Sequence, residues 1–239
     1  MIIDAHSHIG ARIGSRQTGP ELVTRMDDAG VDLACIFPHV EAGFDNDEVD
    51  DAMFAQPGRF IPFMALNPWY GGQAVWELHQ RADRGYRGIK LHPTIHGYNL
   101  GDLALLGPIL DAARERGLIV LSHGASDVLN APPAFAKVAR AYPEIPVLMA
   151  HSGVFQMHEE AIEAAAEHAN LYLECARVPA FETAQQIRAL GPEKVIWGSD
   201  SPFCDYTLEY EKMSRTVDSE EARLLVCGGN LARLLGMAA

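Results

Sequence analysis

Cysteine is scarce in this sequence and poorly placed for structural work. Cys35, Cys175, Cys204 and Cys227 are the four among 239 residues, and no two form a C-x-x-C pair. That spacing argues against a zinc ribbon and against a disulfide framework, and it fits a reduced compartment. Basic charge is short as well: 19 Lys and Arg face 32 Asp and Glu, for a net charge of -13 with no basic cluster. Phosphate backbones and anionic lipid are repelled by such a chain, so neither nucleic acid nor a membrane surface is an expected partner. No apolar run approaches the roughly 20 residues that cross a bilayer. "MIIDAHSH" carries an acid and two histidines where a secretory signal would be basic and then apolar, so the expected location is cytoplasmic. Two catalytic signatures are also missing. No G-x-G-x-x-G follows an apolar run, which disfavours a dinucleotide oxidoreductase, and no G-x-S-x-G elbow supports a serine hydrolase.

What is present is a regular alternation. A chain that is 48% hydrophobic and 21% charged has ample material for one core. Eight short apolar runs punctuate it: "MIIDA", "DLACIF", "FIPFMAL", "GIKL", "LIVLS", "PVLMA", "LYLEC" and "VIWG". Longer amphipathic stretches separate them, such as "GDLALLGPILDAARERG", where Leu106, Ile109, Leu110 and Ala113 share a face and Gly117 is the stop. Asp218, three residues before Glu221, and Asn230 are expected helix N-caps. Strand and helix signals in alternation predict a parallel sheet. Eight such units in about 250 residues predict a single-domain (β/α)8 TIM barrel over residues 1–239.

In such a barrel the chemistry sits at the carboxyl ends of the strands, and polar residues gather at those places. His6 and His8 close the first run, Lys90 and His92 the fourth. His123 follows the fifth, His151 the sixth, Glu174 ends the seventh, and Asp200 follows the eighth. Residues i and i+2 of a strand share a face, so His6 and His8 can meet one ion. Imidazole and carboxylate are the donors of a catalytic zinc, and three histidines with one aspartate suffice. Singly, a histidine after a strand is an ordinary satisfied polar group. The combination favours a metal.

Taken in order, "DAHSH", "GYRGIKLHP", "VLSHG", "PVLMAHSG", "VIWGSDSPF" and "GGNLARLL" resemble the amidohydrolase superfamily, and within it the compact branch related to aminocarboxymuconate semialdehyde decarboxylase. The resemblance implies a (β/α)8 barrel with His6, His8, His123 and Asp200 at one divalent metal, zinc by preference over manganese or iron, and with His151 beside the substrate. A second metal enters only if Lys90 is carbamylated; otherwise Lys90, His92 and Glu174 support the donors or the substrate. The expected chemistry is attack of metal-activated water on a carboxylic ester, lactone or amide. In it Asp200 handles the proton and His151 polarises the carbonyl.

Decarboxylation of an unsaturated or aromatic acid is the alternative, with Arg12, Arg16 or Arg177 gripping a carboxylate. A barrel that binds metal or ligand without catalysis is the third reading. Trp69 and Tyr98 are expected stacking faces for a flat small-molecule substrate, and His39 and Glu41 also stand near the rim. His79, His158 and His168 are expected to face solvent. The sequence leaves a homo-oligomer open.

Overall fold

The computed structural model describes residues 1–12, 14–41, 44–124, 127–154 and 156–237. The first strand, β1 (Ile3–Arg12), folds back on β2 (Ser15–Gln17) as an antiparallel hairpin. Helix α1 (Gly19–Ala29) begins at a reciprocal capping box between Thr18 and Glu21 and stops at Gly30, whose φ of 69° needs a residue without a side chain. The chain then repeats strand and helix: β3 (Leu33–Pro38), α2 (Asp47–Ala55), β4 (Phe60–Ala65), α3 (Gly72–Asp83), β5 (Gly88–Leu91), α4 (Pro93–His96) and α5 (Leu103–Arg116). There follow β6 (Ile119–His123), α6 (Pro132–Ala141), β7 (Val147–Ala150), α7 (His158–Glu167), β8 (Leu171–Glu174), α8 (Ala180–Leu190) and β9 (Val195–Ile196), before α9 (Tyr206–Thr216), α10 (Glu220–Leu224) and α11 (Asn230–Leu234).

Among the described residues the strands form one nine-stranded sheet in the order β2-β1-β3-β4-β5-β6-β7-β8-β9. Every neighbouring pair beyond the β1–β2 hairpin is parallel. The sheet curls far enough for the segment after β9 to reach the first strand. There Ala5 N donates to Trp197 O at 3.2 Å, Asp200 N to His6 O at 2.8 Å and His8 N to Ser201 O at 2.7 Å. Asp4, fully buried, fastens the same junction: it accepts from His6 N and Ser199 N at 2.9 Å, from Ser7 Oγ at 2.5 Å and from Ser199 Oγ at 2.7 Å.

Two apolar layers follow from the pleat. Ile36, Met64, Ile89, Val120, Met149 and Leu173 point outward against the helices. Ile3, Ala5, Phe37, Phe63, Leu121 and Leu148 point inward, where Leu231 and Leu235 of α11 join them.

Each of the eight expected runs contains a strand, with two kinds of difference. β1 continues through His6 and His8 to Arg12, so the histidines are inside a strand and the hairpin was not foreseen. The helix caps also shift. Ser219, and not Asp218, caps α10 by accepting from Ala222 N, because the hydroxyl at that position reaches the third amide. Asn230 lies inside helical backbone and spends its side-chain amide on Pro192 O and Val195 O.

Candidate metal centre

The inward face of the sheet changes from apolar to polar along its length. Phe37 leads to His39, Leu121 to His123 and Tyr172 to Glu174, while Lys90 leads to His92; each pair is two residues apart, as a pleat requires. Four donors break that rule. Ile3 and Ala5 face inward, which by strict alternation sends His6 and His8 outward. A register irregularity between Asp4 and Ser7 shifts the parity and turns both imidazoles in. His151 and Asp200 are aimed by left-handed backbone instead, with φ of 62° and 54°, as Arg177 is at 65°. Non-glycine residues rarely adopt such angles, and their gathering at one rim singles it out as the candidate site.

The imidazole tautomers can be read from their partners. His151 Nδ1 donates to Ala176 O at 3.0 Å and His8 Nδ1 to Pro38 O at 3.4 Å; a carbonyl only accepts, so both rings carry their proton on Nδ1. Lys90 Nζ donates to His6 Nε2 at 3.0 Å, and His6 Nδ1 pairs with Glu174 Oε2 at 3.0 Å. All three rings therefore turn an unprotonated Nε2 edge toward the interior. Asp200 Oδ1 stands 3.2 Å from His6 Nε2 and 3.3 Å from His8 Nε2. Ligand atoms of His6, His151 and Asp200 all lie within 4.8 Å of one another, and the three residues are buried. Imidazole edges and a carboxylate converging in a buried space, with the Lys90 amine set against His6 Nε2, form a donor set of the kind a divalent cation takes.

Burial sets the protonation states. It lowers the pKa of His6, His8 and His123, and moves His151 down to about 4 and His92 to about 2, with Lys90 adding to the effect on His6, His8, His92, His123 and His151. These rings are neutral at pH 7, the form that binds metal. Burial also pushes Glu174 up to about 8 and Lys90 down to about 8. For Asp200 burial acts upward, but His6, His8 and His151 outweigh it and hold the carboxyl well below the usual range.

A cavity of about 130 Å³ opens onto this centre, lined by the buried His6, His8, His39, Val40, Lys90, His151 and Asp200, by His92 and His123, and by the exposed Arg12, Ile95, Arg177 and Phe203 at its mouth. Arg177 Nη1 donates to Asp200 Oδ2 at 3.4 Å. The Arg12 guanidinium lies 4.9 Å above the Phe203 ring and pairs with Glu41 at 3.1 Å. His92 stacks on His123 at 4.0 Å, and His123 meets His151 at 5.0 Å between ring centres.

The structure thus gathers His6, His8, His123, His151, Lys90, His92, Asp200, Arg12 and Arg177 on one cavity, with Glu174 directly behind His6. It does not bring Trp69 or Tyr98 there. Trp69 is 58% exposed, its indole N–H spent on His96 O at 2.8 Å, and Tyr98 is 3% exposed within the apolar core. His158 is buried against Glu182 and Gln186, in contrast to the expected solvent face. Phe203 was missed, because nothing in "SDSPF" separates a rim aromatic from a core one.

Comparison with known proteins agrees with the fold. The family profile described as Amidohydrolase matches residues 3–237, and the chain belongs to that family. No curated protein matches it in sequence. Among solved structures it is similar to an uncharacterised TIM-barrel protein from Bordetella bronchiseptica, at 17% identity and TM-score 0.82 over 98% of each chain. It is similar also to 5-carboxyvanillate decarboxylase from Sphingomonas paucimobilis, at 15% identity and TM-score 0.76 over 99% of each chain. A third is a probable 2-pyrone-4,6-dicarboxylic acid hydrolase from Acinetobacter baumannii with citric acid bound, at 16% identity and TM-score 0.79 over 99% of each chain. At these identities the likeness is one of fold.

Proposed function

We propose that this protein is a metal-dependent enzyme that hydrolyses a carboxylic ester, lactone or amide in a small molecule bearing a carboxylate. The observation that carries the reading is the convergence of unprotonated imidazole edges on Asp200 Oδ1. The backbone bonds between β1 and residues 197–201 support a sheet closed as a (β/α)8 barrel, with the whole chain as one domain.

One divalent ion, zinc by donor preference, would be held by His6, His8 and Asp200 with His123 as the fourth donor, as the family resemblance implies. His151, whose ligand atom lies within the same 4.8 Å as those of His6 and Asp200, is close enough to touch a reacting oxygen there. When bound, the ion supplies Lewis acidity and acidifies water.

The remaining steps belong to the chain. Arg177 binds the substrate carboxylate at the mouth. His151 Nε2, a lone pair in its tautomer, orients the attacking water by accepting one of its hydrogens. This differs from the expected polarising role, which needs an N–H that His151 directs elsewhere. Asp200 Oδ2 takes the proton from that water and returns it to the leaving group.

A decarboxylase of an unsaturated or aromatic acid is the second reading. Two arginines beside Phe203 at the mouth support it, as does the 5-carboxyvanillate decarboxylase among the structural neighbours. The deciding experiment is a panel of small lactones, esters and amides scored for acid release, run beside a panel of unsaturated and aromatic acids scored for carbon dioxide. Acid release, reduced about 10²- to 10⁴-fold in Asp200→Asn, is the expected result. Carbon dioxide without acid release overturns hydrolysis in favour of the second reading.

A further inference from the structure

The wall of the cavity formed by His39, Arg12 and Phe203 has no part in the chemistry above, yet it is built. His39 is 4% exposed, and neither ring nitrogen has a hydrogen-bond partner among the described residues. A buried polar ring without a partner is costly, and such a group in a pocket wall is an unfilled binding position. Its orientation is fixed from both sides. It lies parallel to His8, with ring centres 5.2 Å apart and planes 5° apart, and edge-on to Phe203 at 5.4 Å and 72°. His39 lines the same cavity as Arg12 and Arg177. Arg12 is held over the Phe203 ring by its pairing with Glu41, two residues beyond His39.

We propose that His39 and Arg12 form a second anion subsite, distinct from Arg177, which takes a second carboxylate of a flat substrate lying against Phe203. The inference rests on the reading of the cavity as a carboxylate-binding active site. An imidazole N–H and a guanidinium on one wall supply two donors to one oxyanion. The Phe203 ring, which both His39 and Arg12 contact, favours a planar molecule over a branched one. A cavity near the roughly 150 Å³ that accommodates benzene limits the substrate to a short dicarboxylate or a single small ring.

The test uses the metal-loaded protein and probes matched in shape: fumarate and maleate, which are planar diacids, against crotonate, which replaces one carboxylate with a methyl group. Binding is measured by titration calorimetry. One of the two diacids is expected to bind at least about tenfold more tightly than crotonate, as a charged hydrogen bond warrants. His39→Phe should erase that advantage while crotonate still binds, and His39→Gln, which keeps an N–H donor, should restore part of it. Equal affinity for diacids and crotonate in the wild type, or an advantage that survives His39→Phe, overturns the subsite and leaves the carboxylate reading standing. Failure of all three probes to bind the wild type removes both. Circular dichroism of each variant separates loss of the subsite from loss of the fold.

Discussion

The decisive residues here are aimed by their second partners. Glu174 touches no cavity, but its contact with His6 Nδ1 fixes which edge of that ring faces Asp200. Replacing it with alanine should lower metal affinity about 10- to 100-fold with the fold retained, and Gln should fall between. Competition against a graded series of chelators measures this, and unchanged affinity in Glu174→Ala would remove the orienting role. At this scale the sequence was readable wherever a side chain obeys the two-residue period from its apolar run, as His123, Lys90, His92 and Glu174 do. It was unreadable where the backbone itself turns. The φ values that swing His151 and Asp200 inward leave no trace in residue type, and their nomination depended on standing next to a strand. Trp69 and Tyr98 show the converse: aromatic identity gave no information on which side of a loop faces the cavity.

Among the elements, β1 carries the most, and its irregularity does what its composition cannot. Strict alternation from Ile3 and Ala5 would bury the two histidines among helices; the shift between Asp4 and Ser7 places them in the cavity. Asp4 holds that shift in place by accepting from the backbone of both His6 and Ser199. Asp4→Ala leaves buried donors without acceptors and should cost roughly 3 kcal/mol, seen as a lower urea midpoint with an unchanged slope. A midpoint within error of wild type would mean that the junction is held by other contacts. The shift was invisible beforehand because it arises from long-range pairing with a segment almost 200 positions away. The hairpin to β2 was missed for a related reason: "GARIGSRQ" holds too few apolar residues to announce a strand.

At the scale of the whole molecule, burial of neutral imidazoles couples the site to stability. His39 and His151 are lowered to about 4 and His92 to about 2, each chiefly by burial. The unfolded chain takes up protons near pH 6.5, where the folded chain does not. Stability therefore falls as pH drops from about 6.5 to 4. Glu174, raised to about 8, works in the opposite direction over part of that range, as do Asp4 and Glu48, whose burial also raises them; the lowered imidazoles are more numerous. Melting temperatures of metal-stripped protein at constant ionic strength should decline through this window; a flat profile would contradict the neutral-imidazole reading. The general architecture was legible because β/α alternation is a repeated local pattern. The meeting of the first strand with residues 197–201 was not, since no local pattern encodes which edges join. That meeting also sets an order of events at birth. During synthesis His6 and His8 leave the ribosome about 10–40 s before Asp200 at 5–20 residues per second, so through that interval the chain has two free imidazoles and no site. The candidate centre cannot assemble until residues 197–201 have emerged to meet the first strand.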